Sequence, residues 1–290
     1  MKNQYNNHLL QLLLSTAFIS TSGVLGRYID LPTPVTIWWR CLLGSLFLYL
    51  FCRYRKYNLK VSSKKDIYRI LLSSIFLGTH WITYFYALKL SNVALGMLSI
   101  FTFPIITVFL EPIFYKTKLD FMHIILGIMV ILGIYILAPE FDFQSSQVRG
   151  ILLGVFSAFC YALRNLILKG QVVRYNGTIL MTQQILILSV VLLPFLLVMD
   201  TSNIKTQFPY VILLALFTTA IGHTLFIHCL KYFSVSAASI IKSLQPVLGI
   251  TMAYVFLNEI PEFNTFIGGS LILATVIIES FRSRKNYYKQ

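Results

Sequence analysis

Residues His80–Gly127 read HWITYFYALKLSNVALGMLSIFTFPIITVFLEPIFYKTKLDFMHIILG. The stretch holds the end of one apolar helix, a polar break at Lys89–Asn92, a second apolar helix with Pro104 near its centre, a basic turn at Lys116–Lys118, and a third apolar helix carrying Gly127. A related stretch follows at His223–Gly269, HTLFIHCLKYFSVSAASIIKSLQPVLGITMAYVFLNEIPEFNTFIGG. At one offset of 142 residues, Lys89 pairs with Lys231, Val93 with Val235, Pro104 with Pro246, Phe114 with Phe256, Asp120 with Glu262, Phe121 with Phe263 and Gly127 with Gly269, without a gap. The offset also pairs Ser15 with Ser157 and Arg27 with Lys169. Self-similarity at a fixed spacing marks a repeat architecture, and the chain divides into two related halves, 1–142 and 143–290.

Composition fixes the solvent. The 290 residues are 57% hydrophobic and 12% charged, with a mean hydropathy of +0.75, whereas soluble domains carry about 25% charged residues. This is an integral membrane protein with no room for a soluble domain. The net charge of +14 sits in loops beside apolar spans, as membrane orientation requires, so it does not signal nucleic acid. Cys41, Cys52, Cys160 and Cys229 lie in or beside apolar runs without a CxxC pair, and read as small buried hydrophobes. The first apolar run precedes no soluble domain and is expected to stay as an uncleaved helix.

A spanning helix needs about 20 mostly apolar residues. Ten candidates satisfy this: 9–26, 34–53, 67–88, 93–115, 121–138, 150–169, 178–199, 208–230, 236–257 and 263–281. Turn signals at Leu31–Pro34, Ala138–Pro139, Asn176–Gly177, Phe208–Pro209 and Ile260–Pro261 separate them. Most Lys and Arg residues fall on one side: Lys2, the cluster Arg53–Arg69, Lys116, Lys118, Lys169, Arg174, Lys231 and the Arg282–Lys289 tail; Arg27, Lys89, Arg149 and Lys205 fall on the other. The positive-inside rule then places both termini in the cytoplasm. Five spans per half is an odd number, so the second half enters the membrane upside down. The turns agree, because basic Lys116–Lys118 corresponds to acidic Asn258–Ile260. The expected fold is therefore all-α, ten transmembrane helices forming two inverted five-helix repeats. Such repeats mark secondary transporters, with the solute site near the midplane between them.

Ionisable groups inside spans are costly and by default functional. Glu111 is the acidic residue well inside a span, on a face with Gly96, Ser99, Phe103 and Thr107. Lys242, Gln245 and Gly249 share a face of the ninth helix, Tyr161 and Arg164 one of the sixth, and His80 and Tyr84 one of the third. These residues are expected to line a central cavity between helices 1, 3, 4, 6, 8 and 9, with Glu111 pairing Lys242 or Arg164 in one access state. The competing account leaves Glu111 in a permanent structural pair or snorkelling toward Lys116 and Lys118. Pro104 and Pro246 each free a backbone carbonyl one turn earlier, near Ile100 and Lys242, which suits a hinge or a broken-helix ligand site. Arg40 follows Trp38 and Trp39 near a helix end, the pattern of an aromatic belt with a snorkelling Arg; a role for Arg40 toward a substrate is the alternative. His223 and His228 are five apart and do not converge on a metal. Gly127, Gly133, Gly268 and Gly269 suit close helix contact, within the chain or in a homodimer.

The ten-span plan, with helices 4 and 9 each carrying Pro before an apolar run and a turn, resembles the drug/metabolite transporter superfamily, specifically its EamA-type permeases. The second half carries the resemblance best, in SAASIIKSLQPVLGITMAYVFLNEIPEFNTFIGGSLILATVII with Pro246, Glu259, Gly268 and Gly269. The sequence departs from that family in Thr117, where Glu is common, and in Lys242, where a small or apolar residue is usual. The resemblance implies export or exchange of small metabolites, amino acids or drug-like compounds among them, across the inner membrane by alternating access, coupled to protons or to a counter-substrate. Nucleotide-binding loops and hydrolase or metalloprotease motifs are absent, so neither an ATP-driven pump nor an enzyme is expected, and no cofactor. The partners expected are a small-molecule solute and the lipid bilayer. A non-transporting membrane sensor or assembly protein is the competing class, disfavoured because a structural bundle has no need of buried polar stripes.

Overall fold

The computed structural model describes residues 2–61, 63–115, 119, 121–137, 142–233, 238, 241–242 and 244–287. The expected basic turn at Lys116–Lys118 with Thr117, together with Asp120 and the Ala138–Pro139 break, lies outside the described residues. The described residues are helical and contain no strand. The helices are α1 (Lys2–Tyr28), α2 (Thr33–Tyr54), α3 (Lys64–Leu90), α4 (Val93–Ile100), α5 (Phe103–Tyr115), α6 (Phe121–Leu137), α7 (Ser146–Lys169), α8 (Gly177–Val191), α9 (Phe195–Val198) and α10 (Ile204–Leu213). A π-helical segment, Leu214–His223, continues α10 into α11 (Thr224–Cys229), and α12 (Leu244–Leu257) and α13 (Phe263–Tyr287) complete the chain. Seven helical stretches are long and apolar enough to cross a membrane, α4 with α5 counting as one; three shorter apolar helices span Phe121–Leu137, Leu244–Leu257 and Phe263–Ile278. The chain is a multi-pass membrane protein.

Polar breaks in the sequence become helix caps. Asn92 Oδ1 accepts from Leu95 N at 2.8 Å to start α4, and Asn176 Oδ1 accepts from Thr178 N at 2.8 Å to start α8. Each cap satisfies a backbone donor that the first turn leaves orphaned. Proline sets the interruptions. Pro104 cannot donate to the preceding turn, and the helix opens at Phe101–Thr102, where Thr102 N and Oγ1 both turn back to Ser99 O. Pro194 likewise separates α8 from α9. In the second half the carbonyl expected to be freed at Lys242 is taken by Gln245 N at 2.8 Å, so it is not an open ligand. Pro209 also departs from expectation. It lies inside α10, not in a turn, close to the polar end of the helix where the one lost backbone bond is cheaply replaced.

Serines stitch the helices at matching places. Ser15 Oγ on α1 donates to Gly222 O at 2.9 Å, and Ser157 Oγ on α7 donates to His80 O on α3 at 2.7 Å. The two donors are 142 residues apart, and so are the two acceptors. In the same way α7 packs along α3 while α1 packs along the π-helical segment and α11. Interhelical hydrogen bonds of this kind contribute about 0.6 kcal/mol each in a membrane, so they specify register more than they stabilise.

Small residues bring the helices close within the chain. Gly133 on α6 and Gly268 on α13 face each other, with Gly127 against Phe109 and Gly269 against Leu98. A Cβ at Gly268 would stand 2.7 Å from the backbone oxygen of Gly133, and backbone cannot step aside. Gly268→Val is therefore expected to cost roughly 1–3 kcal/mol through overpacking, read as a lowered melting temperature in detergent. Gly170→Ala, whose nearest neighbour would be 3.8 Å away, is expected to leave the melting temperature unchanged.

Candidate functional site

A closed internal cavity of about 20 Å³ lies among α1, α2, α3, the α4–α5 break, α7, the end of the π-helical segment and the start of α12, room for on the order of one water molecule. Its walls contain pairs of residues 142 apart: Ile19 with Tyr161, Trp81 with His223, Ile100 with Lys242, and Phe103 with Gln245. Positions equivalent in the two halves thus meet around one space.

Lys242 comes from the loop entering α12 and is 2% exposed. Its Nζ donates to Tyr161 Oη at 2.7 Å and stands 4.3 Å from the Phe226 ring centroid, 4.6 Å from that of Tyr161 and 5.7 Å from that of Phe103. An ammonium held among ring faces gains cation–π attraction. Arg40 enters from α2 and is 1% exposed. Its Nε donates to Thr219 Oγ1 at 2.6 Å, and its guanidinium lies 3.8 Å from the centroid of Trp81. Its Nη2 has no protein partner. The snorkelling expected for Arg40 does not occur: the side chain is sunk in the bundle, held by stacking and by the π-helical threonine.

His80 is oriented by Ser157. The Ser157 hydroxyl proton goes to His80 O, so the imidazole donates through Nδ1 to Ser157 Oγ at 2.8 Å. The ring stacks on Tyr161 with centroids 4.5 Å apart. His223 meets Trp81 edge-on at 5.3 Å, and its Nδ1 has no protein partner. Tyr84 completes the wall beside His80.

Of the residues singled out from sequence, His80, Tyr84, Phe103, Tyr161, Lys242 and Gln245 line this cavity. The others are placed elsewhere. Ser99 packs on Gly154 of α7 and, like Thr107, turns its hydroxyl to its own helix. Pro104 and Pro246 shape the helices but are not in the wall. Arg164, fully buried, turns to Gln184 Oε1 at 2.8 Å and Asn165 Oδ1 at 3.0 Å, with Gln184 anchored to Ser73 Oγ at 2.8 Å. Among the described residues no ion pair joins Glu111 to Lys242 or Arg164; its charge acts on Tyr115 and Lys169. Arg40, Trp81, Ser22, Ile19, Ile100, Phe101 and His223 were missed as wall residues. The repeat offset held the signal for two of them: Ile19 and Ile100 are the mates of Tyr161 and Lys242.

The two ends of the bundle carry a second set of equivalent contacts. Arg27 donates to the carbonyls of Leu88 and Lys89, and Lys169 to those of Leu230 and Phe233; Leu88 and Leu230 are 142 apart, as are Arg27 and Lys169. Arg27 also pairs with Glu259 at 3.1 Å, whose other oxygen accepts from Val93 N at 2.8 Å and caps α4. The mate of Glu259 is Thr117, and the carboxylate that acts on Lys169 is Glu111.

The profile of the EamA-like transporter family matches the chain twice, over residues 7–138 and 148–281. The chain belongs to the EamA-like transporter family. As a member it is a permease and not an enzyme. It is 24% identical over 285 residues to the uncharacterized transporter YxxF of Bacillus subtilis (strain 168), covering 96% of this chain and 91% of that one. It is 21% identical to a protein of Rickettsia conorii named S-adenosylmethionine uptake transporter, covering 94% and 92%. It is also 21% identical to the pseudopaline exporter CntI of Pseudomonas aeruginosa (strain UCBPP-PA14), covering 96% of each. A solved crystal structure superposes with a TM-score of 0.72 at 16% identity, over 97% of this chain and 98% of that one, which shows a shared fold. In this EamA-like transporter the Arg164 cluster is a structural tie between α7, α8 and α3. Gln184→Leu is expected to destabilise the protein by roughly 1.5–3 kcal/mol, because it removes an acceptor from a buried cation. Adding Arg164→Met to it is expected to restore part of the loss, in thermal unfolding of purified protein.

Proposed function

We propose that this chain is a secondary transporter that moves small metabolites across the inner membrane by alternating access, through ten spans arranged as two inverted five-helix repeats with both termini cytoplasmic. The observation that carries the proposal is the closed cavity walled by repeat-equivalent residues, Ile19 with Tyr161, Trp81 with His223, Ile100 with Lys242 and Phe103 with Gln245. A site on the axis between inverted repeats is where a solute can be offered to each side in turn. The reciprocal Ser15 and Ser157 bonds support the same arrangement, as does the twofold match of one family profile. Among relatives, one is named for uptake and one for export. Amino acids and drug-like compounds are the first solutes to test, in export or in exchange for protons or a second solute.

The gates are the equivalent clasps at the two ends. On the outer side Arg27 joins α1 to the carbonyl end of α3 and, through Glu259, to the α12–α13 turn. On the cytoplasmic side Lys169 joins α7 to the end of α11, beside Glu111. The Arg27–Glu259 pair is partly exposed, 34% and 22%, and a pair of that kind contributes about 0–1 kcal/mol. Such a clasp breaks and re-forms at little cost, as a gate must.

Transport is tested by counterflow of a solute panel in proteoliposomes, where wild-type protein is expected to exchange at least one solute and empty vesicles none. Absence of exchange for every solute favours a sensor or assembly role. The gates are tested with Ser22→Cys in a background free of native cysteines, labelled by a membrane-impermeant maleimide. Arg27→Gln is expected to raise labelling from outside, and Lys169→Gln from the cytoplasmic side. Equal effects from both sides would remove the two-gate scheme.

A further inference from the structure

The cavity has a charge that the helices around it do not answer. Arg40 and Lys242 both line it, and no aspartate or glutamate does. Among the described residues no carboxylate comes within ion-pair distance of either. Arg40 cannot shed its proton. Its guanidinium stacks on Trp81 and donates through Nε to the neutral Thr219 hydroxyl, and Nη2 has no hydrogen-bond partner. A second donor-capable atom, His223 Nδ1, is also buried without a partner in the same wall. A buried cation left uncompensated in this way is costly; the Nη2 of Arg164, by contrast, is met by Gln184 Oε1. Much of the remaining wall is aromatic, with Trp81, Phe101, Phe103 and Tyr161 lining the space beside Ile19, Ile100, Ser22 and Gln245.

We propose that the cavity binds a small organic anion with a flat apolar body, its acid group held by Arg40 and Lys242 and its body by the aromatic wall. This rests on the permease assignment above and names the substrate class of that site. A cation is repelled by both side chains, and a neutral solute leaves the guanidinium charge unanswered. Arg40 suits an acid group because its fork offers directed charge-assisted hydrogen bonds. In the closed form the space admits about one water, so the anion takes that place as the rings part during access.

The test uses full-length protein in detergent and calorimetric titration with four probes of similar shape: benzoate, phenyl phosphate, benzamide and benzylamine. Benzoate or phenyl phosphate is expected to bind roughly tenfold or more tightly than benzamide, with no binding of benzylamine; which of the two anions wins identifies the acid group. Arg40→Gln is expected to remove that preference and Arg40→Lys to restore part of it. Lys242→Met, which leaves Arg40 in place, is expected to weaken both anions, and Arg174→Gln in the cytoplasmic loop to change nothing. Benzamide binding as tightly as the anions, benzylamine binding more tightly, or no binding of either anion overturns the proposal. Counterflow with the same probes separates it from the permease assignment. Exchange of benzamide or benzylamine without exchange of either anion defeats the anion site and leaves a transporter, whereas exchange of no solute defeats the transporter itself.

Discussion

In hydrocarbon every polar group must find its partner inside the protein, because no water is there to supply one. That constraint organises this bundle. Serine and threonine hydroxyls turn back to carbonyls of their own helix, as Thr107 does to Phe103, or reach across to another, as Ser15 does to Gly222 and Ser157 to His80. Arg164 is answered by two side-chain amides. Some buried side-chain atoms keep no protein partner, Thr33 Oγ1, Trp39 Nε1 and Arg164 Nε among them, and the cavity wall gathers five of them: Arg40 Nη2, Trp81 Nε1, Tyr84 Oη, His223 Nδ1 and Gln245 Oε1.

The same constraint explains how the helices can move without unfolding. The break at Phe101–Thr102 keeps its carbonyls engaged through Thr102, and the break before α12 does so through Gln245. The π-helical segment Leu214–His223 widens its turn while placing Thr219 on Arg40 and His223 on Trp81. Interruptions of this kind concentrate at functional places because they cost backbone order. Here all three touch the cavity wall, so the least regular parts of the helices meet at one place.

The end clasps are built from a different economy. Arg27 and Lys169 satisfy helix-terminal carbonyls, which also lie at the negative end of the helix dipole. Their acidic partners are not equivalent, Glu259 on one side and Glu111 on the other. Thr117, the mate of Glu259, carries no charge, and Glu111 stands about two turns earlier in the chain. The two clasps therefore place a cation at equivalent positions but differ in where the opposing charge is mounted, one on a turn and one on a helix.

Sequence by itself determined the membrane class and the repeat offset, and it named six of the residues that line the cavity. Those properties follow from hydropathy, from cap and proline chemistry, and from a similarity that needs no coordinates. It assigned the wrong place to Arg40, because Trp-Trp-Arg near a helix end looks the same whether the side chain climbs to the interface or dives into the bundle; only the neighbouring Thr219 and Trp81, 179 and 41 residues away, decide between them. It also kept Ser99, Thr107 and Glu111 with the cavity residues, whereas Ser99 packs on Gly154 of α7 and Thr107 turns its hydroxyl to Phe103 O. Tertiary structure alone decided which buried charges are answered. Whether a cation has a partner depends on distances between helices that the chain brings together from opposite halves, and no local pattern contains them.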